Sequence, residues 1–176
     1  MDLVEVRIDL VDALLRPAGV ERSRAFESLI HRHQREALAL AIGLLRDRTE
    51  AEEAVQEAVC RAWKSLDSLR DAARFKAWFA GILYRVCRDV IRLKVRDRRA
   101  LSVLPPKEGS TAEADSPALR AAMTLPDDYR DPLVLFYVQE LSILEIADTL
   151  GISEANAKVR LHRARRMLRE RLGATP

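Results

Sequence analysis

The 176 residues leave room for one domain or two small ones and exclude a large multidomain machine. Hydrophobic residues, at 48%, are enough for a core and too many for a disordered tail; six Gly and 5% aromatic residues disfavour β architectures, so helices should dominate. Thirty Lys and Arg against 27 Asp and Glu leave a net charge of +3, a field too weak to suggest nucleic acid until its distribution is inspected.

Leu3 to Leu15 carries a helical apolar stripe that Pro17 and Gly19 end. Its acidic residues Asp2, Glu5 and Asp9 do not suit a secretory peptide, and no stretch approaches the roughly 20 apolar residues of a membrane span. A soluble, cytoplasmic protein without membrane insertion is expected. Cys60 and Cys87, in apolar surroundings and without a C-x-x-C pair, are expected to be buried thiols.

Three longer helices are expected next: about Ser23 to Leu45, Glu50 to Leu66 with Glu52, Glu53 and Gln56 outside its Ala-rich face, and Ala73 to Arg99. The last turns strongly basic. From Arg85 to Arg99 seven basic residues face two acids, a net of +5 and a track suited to DNA phosphates. Residues 100–116, with Pro105, Pro106 and Gly109, read as a flexible linker. Short helices are expected from Pro117 to Leu125 and from Asp131 to Glu140, the latter with Pro132 in its first turn, where a missing N–H is tolerated.

Ser142-Ile-Leu-Glu145 fits a capping box, Gly151 a left-handed helix stop and Ser153 a second N-cap, which together lay out a helix-turn-helix. At about 100° per residue, Leu161, Ala164 and Leu168 fall within about 40° of Ala157 and form a buried stripe. The opposite arc presents Asn156, Val159, His162, Arg163 and Arg166 to a partner. A helix of this kind fits the major groove, where Asn pairs with adenine and Arg with guanine. Lys158, Arg160, Arg165 and Arg169 flank that arc and suit phosphate contact. Seven basic residues against one acid between Lys158 and Arg171, a net of +6, are more than charge pairing along a solvated helix requires.

The segment Glu50-Ala-Glu-Glu-Ala-Val-Gln-Glu57, then Arg61-Ala-Trp63, Phe75-Lys-Ala-Trp78, Asp89 and Arg92, resembles region two of extracytoplasmic-function (group four) bacterial sigma factors. Leu125-Pro126, Glu145-Ile-Ala147, Leu150-Gly-Ile-Ser153 and Leu161-His-Arg-Ala-Arg165 resemble their region four. The resemblance covers about residues 23 to 172. It implies an all-α chain of two small helical domains: residues 1–22 of unclear role, 23–99 as region two, 100–116 as linker and 117–176 as region four.

It implies a sigma factor that directs promoter-specific initiation, with core RNA polymerase and promoter DNA as partners. Region two would dock on the β′ clamp coiled coil through Glu52, Glu53, Gln56 and Glu57 and open the minus-ten element. Region four would read the minus-35 element as duplex and touch the β flap. Strand opening needs planes that hold unstacked bases, for which Trp78, Phe79, Tyr84 and Arg85 are candidates, with Arg88, Arg92 and Arg96 on the phosphate track of the minus-ten element; Trp78 and Phe79 lie on the apolar stripe and are expected to pack in the core, while Tyr84 and Arg88 are expected to be exposed. Arg85 stands where many members have Asn, and Asn156-Ala157 replaces the familiar Thr-Val pair.

An anti-sigma factor is a further implied partner. No cofactor, metal site or catalytic set is expected: His31 and His33, two apart on a helix, point to different faces. The competing expectation is a helix-turn-helix regulator that binds an operator without polymerase, usually as a dimer on symmetric half-sites.

Overall fold

The computed structural model describes Leu14, residues 19–101 and residues 117–173. The expected N-terminal helix, apart from the helical and buried Leu14, lies outside the described residues, as does most of the expected linker, and so do the side chains of Arg98 and Arg99. The described residues form seven α-helices and no strand: α1 (Val20–Leu45), α2 (Arg48–Lys64), α3 (Phe75–Leu101), α4 (Pro117–Met123), α5 (Asp127–Tyr137), α6 (Ile143–Leu150) and α7 (Glu154–Arg171). Two single turns of 3-10 helix, Leu66–Ser68 and Ala72–Arg74, connect α2 to α3.

Helices α1 to α3 pack as a bundle because each carries one apolar stripe. On α2 that stripe is almost pure alanine: Ala51, Ala54, Ala58 and Ala62 are all buried, which lets the backbones of α1 and α3 approach closely. Phe26, Phe75 and Phe79 fill the centre, with Phe75 6.1 Å from Phe26 and stacked on Phe79 at 6.0 Å. Asp47 caps α2, its carboxylate accepting from the Glu50 amide at 3.0 Å, and Arg46 takes the left-handed conformation that ends α1. Cys60 lies opposite the alanine stripe and is exposed, against expectation; a two-residue step from Ala58 turns about 200° around a helix. Cys87 is buried, and burial pushes its thiol up to about 12.

The C-terminal half follows the expected layout from Ser142 onward. The capping box is formed, with the Ser142 amide donating to Glu145 at 2.9 Å and the Glu145 amide to the Ser142 hydroxyl at 3.3 Å. Gly151, at φ 67°, ends α6, and Ser153 accepts from the Asn156 amide to start α7. Helix α5 corrects the expectation. It begins at Asp127 after Pro126, so Pro132 lies inside it rather than in its first turn. Asp127 and Asp128 occupy the first turn, where the helix dipole favours carboxylates, and the buried Pro132 forgoes one intrahelical bond.

The two halves are not separate beads. One continuous core joins Leu40, Leu44, Leu83 and Cys87 of the first half to Val134, Leu135, Ile146, Ala147 and Ala157 of the second. Gly43 is what permits the approach: a Cβ there would lie 3.1 Å from Val134 Cγ1. The Gln139 side chain donates to the Glu36 carbonyl at 2.5 Å, and Lys76 reaches Glu140 at 3.2 Å. Exposed ion pairs such as Lys76–Glu140 contribute at most about 1 kcal/mol. Burying one Val or Leu contributes about 1.5 to 3 kcal/mol, so apolar packing dominates this junction.

A thiol reagent should modify one of the two cysteines in the native chain, Cys60, and reach Cys87 only on unfolding. Two fast-reacting thiols would contradict the burial of Cys87.

Candidate nucleic-acid interface

Helix α7 supplies the first basic surface. Ala157, Leu161 and Ala164 are buried, as the stripe requires, and Leu168 is half-buried. This seats the helix on α5 and α6 and turns Asn156, Val159, His162, Arg163 and Arg166 outward, all exposed. Arg166 pairs loosely with Glu170 at 3.6 Å; Lys158, Arg163 and Arg169 are exposed and make no ion pair among the described residues. The row is therefore available to an anionic partner, and the bulk of a single helix matches the width of a major groove.

Two of the residues expected on phosphates are engaged within the protein. The Arg165 guanidinium lies over Phe136 at 4.7 Å and Tyr137 at 5.5 Å from the ring centres. Arg160 is held between helices: its Nη1 donates to Asp128 at 2.8 Å and its Nε to the Asn156 side-chain oxygen at 3.1 Å.

Helix α3 supplies the second basic surface. Arg85, Arg92 and Arg96 are exposed; Arg85 Nε donates to the Gly81 carbonyl at 3.1 Å, and Arg92 sits 3.7 Å from Asp89. Trp78 is half-buried, packed on Phe75 at 5.8 Å, and its Nε1 donates to the Ser68 hydroxyl at 3.2 Å. Phe79 is in the core, as expected. Tyr84 and Arg88, expected to be exposed, are half-buried against α5 instead. The Tyr84 hydroxyl donates to Asp131 at 3.1 Å, and Arg88 Nη1 lies 3.5 Å from Asp127 and 3.8 Å from Asp131.

The acids that meet them form a network that sequence reasoning missed. Asp131 and Arg130 are both buried and bond each other at 3.1 Å, and Arg130 also reaches Asp127 at 2.9 Å. Burial pushes the Asp131 carboxyl above its usual range, against the opposing pull of Arg130, and burial likewise raises the Tyr84 hydroxyl. Asp127-Asp-Tyr-Arg-Asp131 was visible as a charged run; Arg130 finds its partners within that run and Asp128 finds Arg160 of α7, but Tyr84 and Arg88 reach Asp131 and Asp127 only through the approach of α3. A cleft of about 320 Å³ opens elsewhere between the halves. One wall is Arg74, Trp78 and Arg85 of the first half; the other is Glu145, Asp148 and Thr149 of the second.

The outer face of α2 is acidic and solvated. Glu53 and Gln56 are exposed; Glu52 pairs with Arg48 at 2.9 Å and Glu57 with Arg61 at 2.7 Å. The bond from Glu57, then that from Asp89, raises the Arg61 guanidinium further. His31 is exposed, while the half-buried His33 ring lies 6.1 Å from Phe75. Among the described residues no cluster of three or more His, Cys, Asp or Glu is placed to hold a metal ion, and no helix is long and apolar enough to cross a membrane.

Family models for sigma-70 region 2 and sigma-70 region 4 match residues 29–97 and 117–168. The ECF RNA polymerase sigma factor SigW of Bacillus subtilis is 30% identical, the match covering 84% of this chain and 89% of that protein. A probable RNA polymerase sigma factor of Xanthomonas campestris, RfaY, is 29% identical over 93% of this chain, which spans 45% of that longer protein. Among solved structures, the sigma factor RpoE of Bartonella quintana, in complex with the anti-sigma factor NepR, superposes with a TM-score of 0.73 at 25% identity, covering 86% of this chain and 98% of that one. With both regions present in order and an outward basic face on each, the chain belongs to the extracytoplasmic-function sigma factors of the sigma-70 family.

Proposed function

We propose that this chain acts in the cytoplasm, where it binds core RNA polymerase and directs initiation at particular promoters, lending recognition to an enzyme whose chemistry lies elsewhere. The observation that carries this is the outward row of α7, Asn156, Val159, His162, Arg163 and Arg166, exposed on a helix held rigidly by its buried stripe. Those side chains read the minus-35 duplex, and Lys158 and Arg169 hold its phosphates. Trp78, Tyr84, Arg85, Arg88, Arg92 and Arg96 serve the minus-ten element: the Arg side chains follow the backbone while Trp78, beside the cleft, offers a plane to an unstacked base. The acidic face of α2, centred on Glu53 and Gln56, docks on the β′ clamp of the polymerase, where exposed carboxylates steer a basic partner, and region four touches the β flap. Because the related RpoE is held by NepR, an anti-sigma factor is the proposed regulator of this chain as well.

Arg163→Ala should weaken transcription from particular minus-35 sequences and leave binding to core polymerase intact; equal loss of polymerase binding would remove Arg163 from the base-reading face. Lys158→Ala should lower DNA affinity regardless of sequence and make its salt dependence shallower by about one ion. A sequence-selective loss would contradict that role. For α2, Glu53→Lys should weaken capture of core polymerase in a pull-down while the isolated chain keeps its helical circular dichroism. Unchanged capture would move the docking surface elsewhere.

A further inference from the structure

Val159 bears on which base pair α7 selects, an inference that rests on the assignment of that helix to the minus-35 duplex. At about 100° per residue, counted from Ala157, the stripe of Ala157, Leu161, Ala164 and Leu168 centres near about 10°. Val159 falls at about 200°, within about 10° of the direction that leads straight away from that stripe. It is 48% exposed, and among the described residues it is the one large hydrophobic side chain exposed on α7. In a helix-turn-helix the N-terminal part of the second helix meets the base edges, and Val159 lies on the second turn of α7. Its neighbours on the outward face, three or four residues away, are Asn156, His162 and Arg163.

A β-branched residue is a poorer helix former than the Lys and Arg that surround it, so helix propensity does not account for a valine there. Nor does packing, since the side chain points away from the body of the protein. Val159 has neither donor nor acceptor, and every rotamer of it offers methyl groups. The base edges in the major groove carry donors and acceptors, and thymine alone adds an apolar group, its C5-methyl. Set against guanine, adenine or cytosine, Val159 would take polar atoms out of water and bond none of them. Set against thymine, it buries one methyl group on another. We infer that Val159 reads the C5-methyl of a thymine in the minus-35 element and so fixes one A·T pair there. Its polar neighbours on the face supply hydrogen bonds to the bases beside it.

The experiment is transcription by polymerase loaded with wild-type or variant chain, first from promoters randomised across the minus-35 element. Promoters in which single thymines are replaced by uracil follow; uracil pairs as thymine does and lacks only the methyl group. With the wild-type chain, one such exchange should lower transcription by about fourfold, the effect of burying one methyl group. Val159→Ala should lose the thymine preference at that position and use thymine and uracil alike. Val159→Ile, which keeps both γ carbons, should retain the difference. The position should also lie within about two base-pair steps of the one whose preference Arg163→Ala changes, because residues four apart on a helix are roughly 6 Å apart. No uracil effect at any position, or one that Val159→Ala leaves intact, would overturn the inference. A sequence-selective loss in Arg163→Ala would then still uphold α7 as the base-reading helix. If neither variant changes any base preference, the base-reading assignment itself has failed.

Discussion

A charge taken out of water must be satisfied where it lies, and the Arg130–Asp131 pair imposes that condition on the whole molecule. Both side chains are buried; Arg130 finds its partners, Asp127 and Asp131, within α5, while Asp131 also takes partners from outside it. Asp131 receives the Tyr84 hydroxyl and faces Arg88, both from α3, so this carboxylate gains its further partners only when the two halves meet. Around it the apolar surfaces close, Val134 against Gly43 and Cys87 beneath α5, into one core shared by both halves. The apolar contacts supply most of the adhesion and the buried network sets its register, because a displaced Asp131 would be left charged and unpartnered.

That condition links packing to promoter recognition. Both basic faces are built alike: a narrow apolar stripe seats a long helix, and the residues opposite turn outward with few acids among them. Their environments differ. The α7 face is exposed, and Asn156 and Arg166 on it make their side-chain bonds only to residues of the same helix. Part of the α3 face meets the acids of α5 and α6. The net charge of +3 conceals this separation: the two helical runs carry +5 and +6, and the rest of the chain carries −8. That acidic remainder includes both the α2 face assigned to polymerase and the carboxylates that cover α3.

Local signals made most of the elements legible in the sequence. The capping box at Ser142, the stop at Gly151 and the stripe from Ala157 to Ala164 depend on residues within a few turns of one another, and they appear where periodicity places them. Pro132 misled because a proline reads as a helix start, whereas the acids at Asp127 and Asp128 begin the helix one turn earlier. Cys60 misled because its apolar neighbours in sequence lie on the opposite face. Tyr84 and Arg88, exposed when α3 is read by itself, became half-buried through contacts with α5 some 40 residues away, which periodicity does not encode. The partners of Arg160 and Arg165 were hidden for the same reason: a basic residue on a basic helix reads as solvated until its neighbouring helices are placed.

Runoff transcription with core polymerase, this chain and a library of genomic fragments tests the central claim most directly. The account predicts discrete start sites that appear only when chain and core are both present, each preceded by shared minus-35 and minus-ten sequences. Tight binding of the purified chain to symmetric sites without polymerase, with no start site gained when core is added, would contradict it.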